Sequence, residues 1–159
     1  MAKKKKSDRA RFEDFNPEIP GAEQWKPGTL QIKSGFDERR PRFAFDFAAF
    51  EKSDFCFDSK LIDGRKEYVK MLEALKKISL LTFREIRTGK EHHFHEVNFE
   101  DTPVPVSNFM KCLGVTDDSQ GPTVVQFKAF EEARIVGFIH AGIVYPVWFD
   151  AKHKLYPRK

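Results

Sequence analysis

The sequence predicts an α+β fold in which a small antiparallel sheet carries two helices on one face. Two observations lead to this prediction. An apolar stripe at helical spacing occupies the middle of the chain, and three apolar segments of strand length follow one another in its last third. Short strands, then helices, then strands again favour helices gathered on one face of an antiparallel sheet.

Phenylalanines recur at every second position where regular structure is expected to begin. In residues 42–47, Phe43, Phe45 and Phe47 alternate with smaller or polar residues, which is typical of a strand with one buried face. Phe55 and Phe57 repeat the alternation and predict a second short strand.

Two helices are predicted next. Apolar side chains recur at i, i+3, i+4 and i+7 spacing from Tyr68 to Ser79, and Asp63 is placed to cap this helix. Thr82 and Glu85 then form a capping-box pattern, in which Thr82 caps a second, shorter helix and Glu85 reaches back. Gly89 is expected to end that helix.

A third strand is predicted over residues 93–97, where histidines and Val97 alternate with Phe94 and Glu96. Ser107 is expected to cap one or two helical turns that run through Leu113.

The last third of the chain predicts a meander of three antiparallel strands. Val124–Phe130, Arg134–His140 and Ile143–Phe149 are each strand-like, and Ala141-Gly142 provides a tight turn. Because Pro146 has no N–H to give to a ladder, the last strand is expected to be an edge strand or to be bulged there.

The chain of 159 residues has the size of one domain, and its 17 Phe residues indicate a substantial core. Proline steps interrupt residues 1–41, and the run Lys3–Lys6 makes their start basic. We therefore expect an extended basic, Pro-rich leader over 1–41 and a single α+β domain over 42–159. The leader lysines are expected to be solvated, with contact to phosphate as the alternative.

Composition also indicates where in the cell the protein is expected and which classes of partner are not expected. No apolar stretch is long enough to span a bilayer, and Cys56 and Cys112 lack a C-x-x-C spacing. We expect a cytoplasmic protein with no membrane partner. Because the net charge of +4 arises largely in the leader, no specific nucleic-acid partner is expected.

Histidine is the first candidate for chemistry. His93 and His95 would share a face of a strand, as two ligands of a metal site can. Two imidazoles are too few for zinc, so no metal and no cofactor are predicted.

The polar end of the meander is the second candidate, formed by Asp150, His153 and Tyr156, with Arg134 in the neighbouring strand. His153 could act as a general base oriented by Asp150, while Arg134 stabilises an anion. In the alternative, Asp150 caps the turn that leaves the strand, and His153 and Tyr156 fix the C-terminus.

The third candidate is the pentapeptide Gln126-Phe127-Lys128-Ala129-Phe130. A glutamine followed by spaced apolar residues and a final phenylalanine can enter a partner's pocket with one polar and two apolar anchors. A core strand of alternating polarity has much the same pattern, and both interpretations remain open.

The end of the chain resembles the C-terminal signature of a group of small toxin–antitoxin and phage-associated proteins. The matching segments are Arg134–Phe138, Val147–Asp150 and His153–Pro157. In layout the chain is similar to RelE/ParE-type toxins, which place two helices before a small antiparallel sheet. On that likeness, the alternative function is a RelE-like endoribonuclease toxin that uses His153, Asp150 and Arg134.

Within that group, the chain resembles SocB-type toxins, which block DNA replication by binding the bacterial β sliding clamp. Residues 126–130 look like the clamp-binding pentapeptide Gln-Leu-Ser/Asp-Leu-Phe, with Lys128 and Ala129 as departures. The resemblance implies that Gln126 fills a polar subsite and Phe130 a deep apolar one. It also implies a non-enzymatic toxin, a SocA-like antitoxin and delivery to the ClpXP protease.

Overall fold

The computed structural model describes residues 38–156. The predicted leader, including the run Lys3–Lys6, therefore lies outside the described residues except for positions 38–41, as do the last three residues of the chain.

A five-stranded sheet lies at the centre of the described region, in the order β1-β5-β4-β3-β2. Its strands are β1 Arg42–Phe43, β2 His95–Glu96, β3 Val125–Lys128, β4 Arg134–His140 and β5 Ile143–Asp150. Because β1 runs parallel to β5 and the other pairs are antiparallel, the sheet is mixed. The predicted α+β class is confirmed, but the expected small, purely antiparallel sheet is wrong.

The predicted meander is confirmed as β3, β4 and β5, and β5 is bulged. Val136 pairs with Trp148 and Gly137 with Pro146, so Val147 is the extra residue of β5. The bulge lets Val147 and Trp148 both join the core on one face of the sheet. Since β5 pairs on both sides, the proline is accommodated by the bulge and not by an edge position.

Residues 38–156 contain three α-helices: α1 Gly64–Ser79, α2 Phe83–Thr88 and α3 Val106–Cys112. The predicted capping box at Thr82 and Glu85 is confirmed, and Gly89 ends α2 as expected. Asp63 occupies the cap position of α1 without a side-chain cap bond; its backbone N–H donates to the Glu67 carboxylate at 2.6 Å. Pro105, and not the predicted Ser107, stands at the cap position of α3.

Apolar cores lie on both faces of the sheet. On one face, α1 and α2 pack on side chains that include Phe127, Ile135 and Phe149. On the other, α3 packs on a core that includes Val136 and Trp148. The helices predicted as a pair do share one face, and α3 covers the opposite one.

The predicted phenylalanine-rich strands between residues 43 and 57 reduce to β1. Beyond Phe43 the chain follows β5 irregularly: Ala49 donates its N–H to the Val147 carbonyl at 2.9 Å, and Phe55 accepts from the Phe149 N–H at 2.7 Å. Turns between these contacts break the register. The alternating phenylalanines therefore pack into the cores on both faces of the sheet and do not form a regular strand.

The predicted strand over residues 93–97 is also shorter, because only β2 forms a ladder there. His93 has a φ of 45° and closes the 3-10 turn Lys90–His92, so the extended conformation begins after it. Among the strands of the described region, β2 pairs only with β3 and forms one edge of the sheet.

Candidate functional site

Strand register brings most of the predicted site residues to one end of one sheet face, which we call the polar cluster. Lys128 pairs with Arg134, and Arg134 pairs with Asp150, so three charged side chains lie in a row across β3, β4 and β5. Two residues before Lys128 in β3, Gln126 pairs with His95 of β2. Gln126 and Lys128 of the pentapeptide therefore lie on the same face of the sheet as Arg134 and Asp150.

Asp150 is buried, with 1% of its surface exposed. One carboxylate oxygen accepts from the Lys154 N–H at 2.8 Å, and the other accepts from the Leu155 N–H at 2.8 Å. Burial raises the pKa of Asp150, although these two bonds and the positive charges of His153 and Arg134 lower it. The carboxylate thus caps the turn that leaves β5, which agrees with the alternative to a catalytic role for Asp150.

Arg134 is likewise buried, at 6% exposure. Its Nη1 donates to the backbone carbonyls of Glu131, Glu132 and Ala133 at 3.4, 3.0 and 3.2 Å. These bonds close the turn between β3 and β4. The guanidinium still lies close enough to Asp150 to influence its ionisation.

His153 lies in the segment after β5, residues 151–156, which we call the tail, and is half-buried. Its φ of 54° is left-handed, an uncommon conformation for a residue with a side chain. Arg134, Asp150 and His153 are therefore brought together as a group, but two of the three hold neighbouring backbone in place.

Tyr156 lies apart from that trio, beside β2. Its hydroxyl accepts from the Asn98 N–H at 2.7 Å and donates to the Asn98 carbonyl at 3.1 Å. Its ring meets the His95 ring edge-on, with 5.5 Å between centroids. The tail is thereby attached to the segment that follows β2.

The Gln126 side chain also points toward His95 and is 1% exposed. Its amide nitrogen lies 3.1 Å from His95 Nε2, and His95 Nδ1 lies 2.7 Å from the Glu96 carbonyl oxygen. A carbonyl can only accept, so Nδ1 carries the proton and Nε2 accepts from Gln126. The Gln126 Oε1 atom is buried and has no hydrogen-bond partner among the described residues.

His93 completes the polar cluster on its exposed side. Partial burial lowers the pKa of His93, and the charges of Arg134 and Lys128 lower it further. His93 and His95 do lie near each other, but residues 38–156 contain no cluster of three or more His, Cys, Asp or Glu that could hold a metal ion.

The pentapeptide is divided between the two faces of the sheet. Gln126 lies on the face of α3, whereas Phe127 is 2% exposed in the core under α1 and α2. The strand ends at Lys128, so Phe130 does not return to the face of Gln126. Instead, Phe130 packs with Phe149 at 6.0 Å between ring centroids. Residues four apart share a face only in a longer regular strand, and β3 ends before Phe130.

Sequence patterns gave no sign of the Gln126–His95 and Asn98–Tyr156 contacts. Their partners lie 31 and 58 residues apart in the chain. The alternation in residues 93–97 predicts that His93 and His95 share a strand face, but it indicates no partner for either contact.

No protein-family model, curated protein or solved structure matches this chain. Within residues 38–156, no helix has the length and apolar character needed to cross a membrane.

Proposed function

We propose that this protein is a non-enzymatic toxin of a toxin–antitoxin system that binds the β sliding clamp through Gln126–Phe130 and blocks replication elongation. The observation that favours a binding protein over an enzyme is the engagement of Asp150, whose two oxygens both accept backbone hydrogen bonds. The choice of the clamp as target rests on the resemblance of the pentapeptide to clamp-binding peptides.

Arg134 supports the same proposal. Its Nη1 donates to three carbonyls of one turn, so the cation expected to stabilise an anion serves the fold. A catalytic site needs an acid, a base or a charge that the substrate can reach. Two of the three candidate groups are buried and hold backbone groups.

Presentation of the pentapeptide requires a local opening at the edge of the sheet. Gln126 is covered by β2, a strand of only two residues. Lys128, Ala129 and Phe130 follow at the end of β3 and are each partly exposed. Release of β2 would uncover Gln126 while β3 stays paired with β4.

Phe130 would also have to leave its present contacts. Its ring packs on Phe149, and Lys70 Nζ lies 5.6 Å from the ring centroid. Burying a phenylalanine side chain is worth about 1.5–3 kcal/mol. Because the clamp pocket would bury the ring again, much of this free energy is recovered on binding.

Clamp binding by purified proteins tests the proposal. The double variant Gln126→Ala/Phe130→Ala is expected to lose binding while remaining folded by circular dichroism. His95→Ala is the matched control, because it removes the same Gln126–His95 hydrogen bond but keeps the pentapeptide, and it is expected to bind at least as tightly as wild type. Equal binding by wild type and the folded double variant, or no binding by wild type at all, would exclude this use of the motif.

The family resemblance extends the proposal to a SocA-like antitoxin and the ClpXP protease. Degradation of this protein by purified ClpXP is expected to require its antitoxin in the same reaction. Degradation at the same rate without any antitoxin would contradict this part.

A RelE-like endoribonuclease is the second candidate, favoured by one observation: Arg134 lies opposite Asp150 in register, and His153 is close enough to affect the pKa of Asp150. On this proposal, His153 would be the base, and His153→Ala would abolish cleavage of RNA on ribosomes. Absence of cleavage by wild type would remove the candidate.

A further inference from the structure

We infer that β2 and the C-terminal tail form a latch over Gln126, and that opening this latch controls access to β3. The inference rests on the proposed function for its biological meaning, because Gln126 belongs to the proposed clamp-binding pentapeptide. The latch itself is defined by three residues: His95 in β2, Asn98 just after it, and Tyr156 in the tail.

His95 is the part of the latch that covers Gln126. Its Nε2 accepts from the Gln126 amide at 3.1 Å, and its Nδ1 donates to the Glu96 carbonyl at 2.7 Å. Both ring nitrogens are therefore used within the closed structure. The ring orientation is fixed by β2 on one side and by Gln126 on the other.

Tyr156 holds β2 from outside the sheet. Its ring lies edge-on to His95 at 5.5 Å, and its hydroxyl makes hydrogen bonds of 2.7 and 3.1 Å with the Asn98 N–H and carbonyl. One side chain thus satisfies both backbone groups of Asn98, which lies two residues beyond the end of β2.

The moving part is β2 and not the tail. The tail is anchored just before Tyr156, since Leu155 is fully buried and its N–H donates to Asp150 at 2.8 Å. β2 has only two residues, pairs with β3 alone within the described part of the chain, and is followed by the short 3-10 turn Phe99–Asp101. Short edge elements with few ladder bonds open at lower free energy than the core strands.

The closed state also contains an unsatisfied group. Gln126 Oε1 is buried without a hydrogen-bond partner among the described residues, although the amide nitrogen of the same side chain is paired. A buried carbonyl oxygen without a donor destabilises the state that contains it. Opening lets water or a partner's N–H reach this oxygen, which favours the open latch.

Hydrogen exchange measured by mass spectrometry tests the latch. Tyr156→Phe removes both hydrogen bonds to Asn98 and keeps the ring against His95. We expect exchange in peptides that cover β2 and β3 to become about tenfold faster, the factor that 1.4 kcal/mol represents. Exchange in β4 and β5 is expected to stay unchanged.

Tyr68→Phe is the matched control, because it removes one tyrosine hydroxyl that donates to the Phe57 carbonyl, away from β2. It should leave exchange in β2 and β3 at the wild-type rate. His95→Asn is a second variant that opens the same latch from the other side. Unchanged exchange in both latch variants, or the same acceleration in Tyr68→Phe, would overturn the inference.

Clamp binding by the same variants separates this inference from the proposed function. If the latch and the pentapeptide both act as proposed, Tyr156→Phe binds the clamp more tightly than wild type, by up to the factor measured in exchange. Faster exchange without clamp binding in any variant would keep the latch and remove the clamp as partner.

Discussion

Gln126 and Phe130 are four residues apart in the chain, yet their side chains pack on opposite faces of the sheet. Gln126 lies across from Val136 on the face of α3, whereas Phe130 packs with the core under α1 and α2. The reversal occurs because β3 ends at Lys128 and the chain turns there. A partner that needs both side chains can contact them together only after a local rearrangement.

The two phenylalanines of the pentapeptide should differ in their importance for folding. Phe127 is 2% exposed, so Phe127→Ala is expected to lower the free energy of unfolding by about 3–5 kcal/mol. Phe130 is only partly buried, so Phe130→Ala should lower it by about 1–2 kcal/mol. Urea denaturation measures both values. Equal losses would mean that Phe130 is as deeply packed as Phe127.

Asp150 is expected to stabilise the tail as an acceptor more than as a charge. Asp150→Ala leaves the Lys154 and Leu155 N–H groups without their acceptor and should cost about 2–4 kcal/mol of unfolding free energy. Asp150→Asn keeps one acceptor oxygen and removes a charge whose burial raises the pKa of Asp150. The free energy of unfolding lost in Asp150→Asn should be about half of that lost in Asp150→Ala, as measured by urea denaturation. Equal losses in the two variants would contradict this account.

The sequence predicted the parts of the fold whose residues interact locally. The capping box at Thr82 and Glu85 spans a single turn, and β4 and β5 are apolar segments of strand length joined by the tight turn Ala141-Gly142. Even the bulge at Pro146 could be expected, because proline has no N–H for the ladder.

The missed features depend on contacts between distant segments. β1 pairs in parallel with β5, some hundred residues later in the chain, and no local pattern specifies such a partner. The phenylalanines after Phe43 alternate as in a strand but lie on turns against β5. For the same reason, Arg134, Asp150 and His153 could be grouped from sequence within one hairpin, whereas the Asn98–Tyr156 contact could not.

Stability should fall below neutral pH because of His140. Burial lowers the pKa of His140 in the folded protein, whereas the unfolded chain titrates near the ordinary value of about 6.5. As the pH falls through that value, the unfolded state takes up the proton first, so the stabilisation present above it is lost. Unfolding free energies at pH 7.5 and 5.5 should therefore differ less in His140→Gln than in wild type. An identical difference in both proteins would exclude His140 as a source of the pH dependence.

Gly137 is required by the bulge, and its replacement should be among the most damaging small changes. A Cβ atom there would lie 2.1 Å from the Tyr145 carbonyl oxygen and 3.1 Å from the Pro146 Cα, both of them backbone atoms. Gly137→Ala is therefore expected to force β4 and β5 apart and to cost about 3 kcal/mol or more.

Gly64→Ala is the matched comparison for Gly137→Ala. Gly64 has a φ of +58° and no atom within 4 Å of a Cβ, so only the left-handed backbone opposes alanine there. That strain is worth about 1–2 kcal/mol. Urea denaturation of the two variants compares a steric clash in the sheet with backbone strain at the start of α1. If Gly137→Ala proves no more destabilising than Gly64→Ala, the strands at the bulge are further apart than the structure places them.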